Sequence, residues 1–189
     1  MFNKKYNLAR EGRRQKEESL MHEEQQEAMQ IKHPGIEAEN NHLFFYSDVS
    51  DDKILFLRKL ISNAEMNCQM TKLQLGLEFD IPLHLHIQSY GGSATSAFGI
   101  YDVLSSLKVP LFTYVEGHAA SAATILSMAG SKRFITKNSL MLIHEVRSGN
   151  FGKFSELEEQ LENCDLMMKK IKAIYLSKSK IGEAELKEV

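Results

Sequence analysis

No stretch of this 189-residue sequence approaches the roughly 20 consecutive apolar residues that a membrane-spanning helix needs, and its first residues lack the apolar core of a signal peptide. Both absences predict a soluble, cytoplasmic protein with no membrane partner. Excess charge is missing too: the formal net charge is −2, with both signs spread along the chain, which removes the electrostatic case for nucleic acid as the main partner. Cysteine is scarce. Cys68 and Cys164 stand in unrelated contexts, form neither a metal-ligand spacing nor a redox C-x-x-C pair, and are expected to be reduced, partly buried thiols. There is no internal repeat and no low-complexity tract. What remains is a chain with 43% apolar residues, enough for one domain with an ordinary core.

Residues 1–40 differ from the rest. Charges of both signs are dense there and apolar residues keep no period, so the segment is read as a polar N-terminal extension. Its basic residues Lys4, Lys5, Arg10, Arg13, Arg14 and Lys16 are followed at once by acidic ones, the pattern of a solvated helix face. Glu17 to Gln30 is rich in helix formers and predicts a marginal polar helix. His33-Pro34-Gly35 then punctuates the chain, and one folded domain is expected over 41–189.

Within that domain strand and helix patterns alternate. Leu43 to Tyr46 is a short apolar run, and Ser50-Asp51-Asp52 caps a helix with apolar positions at Ile54, Leu57, Ile61 and Ala64. Ile81, Leu83, Leu85 and Ile87 alternate with His84, His86 and Gln88 as a strand, with Pro82 tolerable at its start. A helix through Ala97, Ile100, Leu104 and Leu107 ends at Pro110. A strand at Leu111 to Val115, a helix at Ala119 to Met128, and strands at Arg133 to Ile135 and Leu140 to Ile143 follow. Asn150 to Phe154 is glycine-interrupted and could be extended. Ser155 to Leu176 reads as a long helix with Leu157, Leu161, Cys164, Met168, Ile171 and Tyr175 on one face. Strands separated by helices imply an α/β fold with parallel pairing.

Two short segments carry the chemistry: Ser89-Tyr90-Gly91-Gly92-Ser93, and Gly117-His118-Ala119-Ala120-Ser121-Ala122-Ala123. Leu140-Met141-Leu142-Ile143-His144 follows them. A glycine pair ending a strand leaves backbone N–H groups free, a serine among alanines at a helix start offers an exposed hydroxyl, and a strand-end histidine can take its proton. On the residues alone the blander readings lead: Ser121 as the N-cap of a small-residue helix packed on the sheet, and His144 as a hydrogen-bonded core histidine.

The order of S-x-G-G-S, G-x-A-A-S-A-A and M-L-I-H on these elements resembles the ClpP family, the proteolytic subunits of the ATP-dependent Clp protease, over about Leu43 to Val189. The resemblance implies a ClpP/crotonase-type spiral of β-β-α units with a projecting handle helix, here Ser155 to Leu176. It implies a serine endopeptidase that hydrolyses unfolded polypeptides inside a ring-shaped chamber, built as a homo-oligomer, with an AAA+ unfoldase as a further partner and no cofactor or metal. Ser121 is then the nucleophile, His144 the general base, and Gly92 and Ala122 the oxyanion donors. An extended substrate is expected to pair with backbone around Gly91, Ser93 and Ala94 and around Val146, Arg147 and Gly149. The helix face left apolar agrees with an oligomer.

The sequence also departs from the family pattern. Tyr90 stands where proline is usual, which frees an N–H and loosens the turn. Glu145 stands where glutamine is common and is expected to point away from the site. The family's orienting aspartate follows the handle helix, and matching Lys180 to Val189 to that region places it a handful of residues past Val189; Asp102 and Asp165 do not match it. His84 and His86 match aromatic residues lining the pocket that receives a loop of the partner ATPase, where histidines make the pocket more polar. They could also be an H-x-H zinc pair, or two solvated side chains. Three rivals stay in play: a phage prohead protease of the same fold, an inactive ring subunit, and an acyl-CoA enzyme that uses the oxyanion donors without a serine nucleophile.

Overall fold

A computed structural model of the protein describes residues 33–149 and 151–187. The basic run and the polar helix expected over Glu17 to Gln30 lie outside the described residues. The fold starts with a hairpin. Strand β1 (Ile36–Glu39) pairs antiparallel with β2 (His42–Phe45) across Asn40 and Asn41, and Asn40 takes the left-handed conformation (φ 55) that asparagine tolerates better than most residues. Ile36 to Glu39, grouped by composition with the polar extension, therefore belongs to the sheet.

Helix α1 (Asp51–Leu75) buries Ile54, Leu57, Ile61, Ala64 and Cys68, the stripe that its spacing announces. Gly76 closes it in the left-handed conformation (φ 62), with its N–H and that of Leu77 on the last carbonyls. Ser50 does not cap it by side chain; its hydroxyl donates to Asp52 instead, at 2.6 Å.

The central strands are β3 (Leu83–Ser89) and β4 (Leu111–Ala120), joined through α2 (Ala94–Ser105). They pair in parallel, as do β2 with β3 and β4 with β5 (Lys132–Ile135), giving the order β1-β2-β3-β4-β5. A last short strand, β6 (Leu140–Leu142), pairs with the far end of β4 at His118 to Ala120. The α/β class with parallel crossovers is as expected.

A further sequence expectation fails in detail. Ala119 and Ala120 are strand, not helix, and the short helix α3 runs only over Ala122–Met128. Alanine's helix propensity is a weak prior, and pairing of Ala119 with both Ser89 and Met141 overrides it.

The alternation along the strands separates two faces. Leu43, Phe45, Leu83, Leu85, Ile87, Leu111 and Val115 are buried in the main core with Leu57, Ile100 and Leu126 of the helices. The residues between them, among them His42, Phe44, His84, His86, Phe112 and Tyr114, form a half-buried ring-rich layer on the opposite face.

The long helix α4 (Phe154–Lys178) is exposed along most of its length. Leu157 and Leu161 are open to solvent, Cys164, Met168 and Ile171 are half-buried, and Tyr175 is fully buried against Met128 and Leu186. The helix is thus anchored at its C-terminal end. Among the described residues no helix is long and apolar enough to cross a membrane.

Candidate active site

Ser121 sits at the sharp junction between β4 and α3 with φ 55 and ψ −126, a conformation that costs a side-chain-bearing residue of order 1–3 kcal/mol. The strained strand-to-helix turn is the device that exposes a nucleophilic hydroxyl at the top of a sheet. Its backbone is pinned from both sides: the Ser121 N–H donates to the Leu142 carbonyl of β6 at 2.8 Å, and its carbonyl accepts from the Thr124 N–H at 3.0 Å. Its side chain makes no capping bond. The N-cap alternative thus lacks the hydrogen bond that would define it.

The glycine turn lies against this junction. Gly91 (φ 93) and Gly92 (φ 147) are both in the region that favours glycine. Val49 bridges to Gly92 in parallel fashion, with the Val49 N–H on the Gly91 carbonyl (2.8 Å) and the Ser93 N–H on the Val49 carbonyl (2.7 Å). Such a bridge uses the groups flanking Gly92 and leaves the Gly92 N–H unused. The Ala122 N–H is the first of α3, without a partner inside the helix. Gly92 and Ala122 thus each offer a backbone N–H beside the cavity that Ser121 lines.

His144 lies two residues beyond β6, in a segment from Ile143 to Gly149 that is not a strand. Its Nδ1 is 2.6 Å from the Glu145 carbonyl. A carbonyl only accepts, so Nδ1 carries the proton and Nε2 is left as the base. Among the described residues no carboxylate bonds this imidazole, and no hydrogen bond links it to Ser121.

Ser121, Ala122, Gly92 and His144 line one cavity of about 310 Å³. Ser93, Ala94, Val146 and Arg147 line it as well. Glu145, expected to point away, is part of the same wall. Gly91 stands behind the junction rather than in the lining, and Gly149 is outside it. The Val146 N–H, a candidate for pairing with substrate backbone, donates to the Met168 thioether at 3.2 Å.

Sequence reasoning overlooked the far wall, made by Cys164, Met167, Ile171 and Tyr175 of α4 with Ile125 of α3. The signal was the same apolar stripe that was read only as an oligomer contact.

A sequence profile described as Clp protease matches residues 37–189. The chain belongs to the Clp protease family. It is 31% identical over 148 residues to the ATP-dependent Clp protease proteolytic subunit 2 of Treponema denticola, covering 74% of each chain. To the ATP-dependent Clp protease proteolytic subunit 2 of Corynebacterium jeikeium it is 35% identical over 129 residues, covering 66% of this chain and 62% of that one. The match therefore spans less than two thirds of that relative's length. Among solved structures, a mutant of ClpP1 from Listeria monocytogenes shares the fold at a TM-score of 0.61 and 16% identity, over 76% of this chain and 74% of the other.

The sheet face away from the helices carries a hydrogen-bonded cluster of histidine, tyrosine and glutamate side chains. His84 and His86 are not free solvated side chains. His84 Nδ1 is 2.9 Å from the Tyr114 hydroxyl, and His86 Nδ1 donates to Glu116 at 2.8 Å, so that His86 Nε2 accepts from His42 Nδ1 at 2.9 Å. The Tyr46 hydroxyl donates to the other Glu116 oxygen. Burial, with the Glu116 bond and charge, pushes the Tyr46 phenol up to about 12. Burial also opposes charge on Glu116, but the bonds from Tyr46 and His86 outweigh it and hold the carboxyl below its ordinary value. Burial, and then the charges of His42 and His86, push His84 down. Among the described residues no three His, Cys, Asp or Glu side chains are grouped so as to hold a metal ion.

Proposed function

We propose that this protein is a serine endopeptidase in which Ser121 is the nucleophile and His144 the general base. The observation that carries the proposal is the strained Ser121, its hydroxyl uncapped, opening into the cavity that His144 and two unused backbone N–H groups also line. His144 Nε2 takes the Ser121 proton as Oγ attacks the peptide carbonyl. The tetrahedral oxyanion is held by the Gly92 and Ala122 N–H groups. Collapse passes the proton to the leaving amine and leaves an acyl-serine, which water hydrolyses by the same route.

In the classical triad a carboxylate sets the histidine tautomer and stabilises its charged form. Here the Glu145 carbonyl sets the same tautomer but supplies no full negative charge. Turnover from this arrangement is expected to be slow rather than absent.

Extended polypeptide substrates pair with backbone at Gly92 to Ala94 and at Val146 to Ser148, the parts of the two segments that line the cavity, so side-chain selectivity is weak. The exposed stripe of Leu157 and Leu161 supports assembly into rings, with an unfoldase of the AAA+ class feeding the chamber in the cytoplasm. The polar segment ahead of Ile36 is an extension to the peptidase domain. Hydrolysis of an unstructured fluorogenic peptide, compared with Ser121→Ala and His144→Ala, tests the assignment. Cleavage lost in both variants supports it; cleavage unaffected by either substitution refutes it, and a wild type with no cleavage beside intact rings favours the inactive subunit.

A further inference from the structure

We infer that Tyr175 and Thr124 are positioning residues for the nucleophile, holding the strained Ser121 backbone through a hydrogen-bond relay that starts in the handle helix. The inference rests on the assignment of Ser121 as nucleophile.

The relay has a defined direction. Thr124 Oγ1 lies 2.5 Å from the Ser121 carbonyl oxygen and is also hydrogen-bonded to the Tyr175 hydroxyl. The threonine has one proton, and the carbonyl can only accept, so that proton goes to Ser121. Tyr175 must then donate to Thr124 Oγ1. Its phenol is only 1% exposed, and burial pushes its titration up against a smaller lowering by the Thr124 hydroxyl, which keeps the donating form.

The position of the relay gives it a task. A residue at φ 55 and ψ −126 relaxes unless its surroundings over-determine it. The Ser121 N–H is fixed by Leu142, and its carbonyl takes two bonds from one residue, the Thr124 N–H and the Thr124 hydroxyl. The hydroxyl is the only one of these three bonds that a side chain makes, and through Tyr175 it ties the junction to α4 as the Leu142 carbonyl ties it to β6. Tyr175 packs in a cluster with Met128 of α3, Leu186 and the half-buried Ile143, the residue before His144. One tyrosine of α4 thus bonds the turn that carries the nucleophile and packs beside the residue next to the base. Displacement of α4 at Tyr175 would loosen both.

The test is the rate at which a fluorophosphonate forms its adduct on Ser121 in the full chain, with thermal midpoints measured alongside. Thr124→Val keeps shape and removes the hydroxyl; its rate is expected to fall about tenfold, the effect of one buried hydrogen bond. Thr124→Ser keeps the hydroxyl and is expected to stay within about twofold of wild type. Tyr175→Phe is expected to lie between them. A purely structural role would lower the midpoints but leave the folded Val and Ser variants reacting alike. Folded Thr124→Val reacting at the wild-type rate, or Thr124→Ser as slow as Thr124→Val, overturns the inference alone. A wild type that forms no adduct on Ser121 overturns the nucleophile assignment itself, and the relay with it.

Discussion

Gly91 lies so close beneath Ser121 that a β-carbon at position 91 would come within 2.8 Å of the Ser121 β-carbon and 2.5 Å of the Ala120 carbonyl oxygen. The glycine turn and the nucleophile junction therefore pack against each other with no room for a side chain at position 91, and one placed there must push them apart. Gly91→Ala forces that movement and also places a side chain at φ 93. The expected result is a loss of about 10²-fold in peptidase rate, the typical effect of displacing a reacting group by about 1 Å. Circular dichroism should still report a folded chain. A folded Gly91→Ala protein with unchanged activity would contradict this packing.

Acid should weaken this fold through the histidine face. The folded-state titration of His84 is held below its ordinary value of 6.5 by burial, then by His42 and His86. As pH falls the unfolded chain therefore binds the proton first. The stabilising contribution is present above about pH 6.5 and is lost as pH drops below it toward the folded value. Glu116, also depressed, adds loss in the same direction at lower pH, below its ordinary 4.5. The thermal midpoint should fall between pH 7.5 and 5.5, and His84→Gln should flatten that dependence. Equal midpoints at both pH values in wild type, or an unchanged slope in the variant, would count against it.

The outer half of the handle helix holds apolar side chains in solvent. Leu161 is 72% exposed and Leu157 42%, on the face that becomes buried further along at Tyr175. Sedimentation of the protein should show a species several times the monomer mass, and replacing both leucines with glutamate should return it to the monomer. A monomeric wild type at micromolar concentration would refute assembly through this face.

A carboxylate brought to His144 Nδ1 should raise turnover. The family resemblance implies an orienting aspartate that follows the handle helix. A form of the chain that carries such an aspartate is expected to be faster than the 189-residue form by orders of magnitude, up to about 10⁴-fold. Its Asp-to-Asn variant should fall back. Equal steady-state rates in all three would show that the Glu145 carbonyl suffices or that the carboxylate comes from elsewhere.

Much of this was legible in the sequence because the strands bury one face only. Leu83, Leu85 and Ile87 alternate with polar residues because helices cover a single side of the sheet, and the α1 stripe repeats at helical spacing for the same reason. The site motifs were legible because glycines and small residues mark close backbone approach, as Gly91 does. Less could be read where tertiary pairing decides. Ala119 and Ala120 are strand only because two neighbours bond them there. The strand Ile36–Glu39 has one buried residue, too few for a pattern. His42 and Glu116 entered the histidine network through strand register, which places His42 beside His84 but leaves no mark in the linear sequence. Tyr175 and Thr124 are 51 positions apart, and nothing local signals their bond.

The central claim is that Ser121 is an activated nucleophile, and covalent labelling tests it most directly. The protein is incubated with a fluorophosphonate probe and the adduct located by peptide mass spectrometry. The expected result is a single adduct on Ser121, absent in Ser121→Ala and slowed at least about 10²-fold in His144→Ala, the scale of general-base catalysis. Labelling that persists in Ser121→Ala, or a wild-type Ser121 that remains unmodified while the protein is folded, would contradict it.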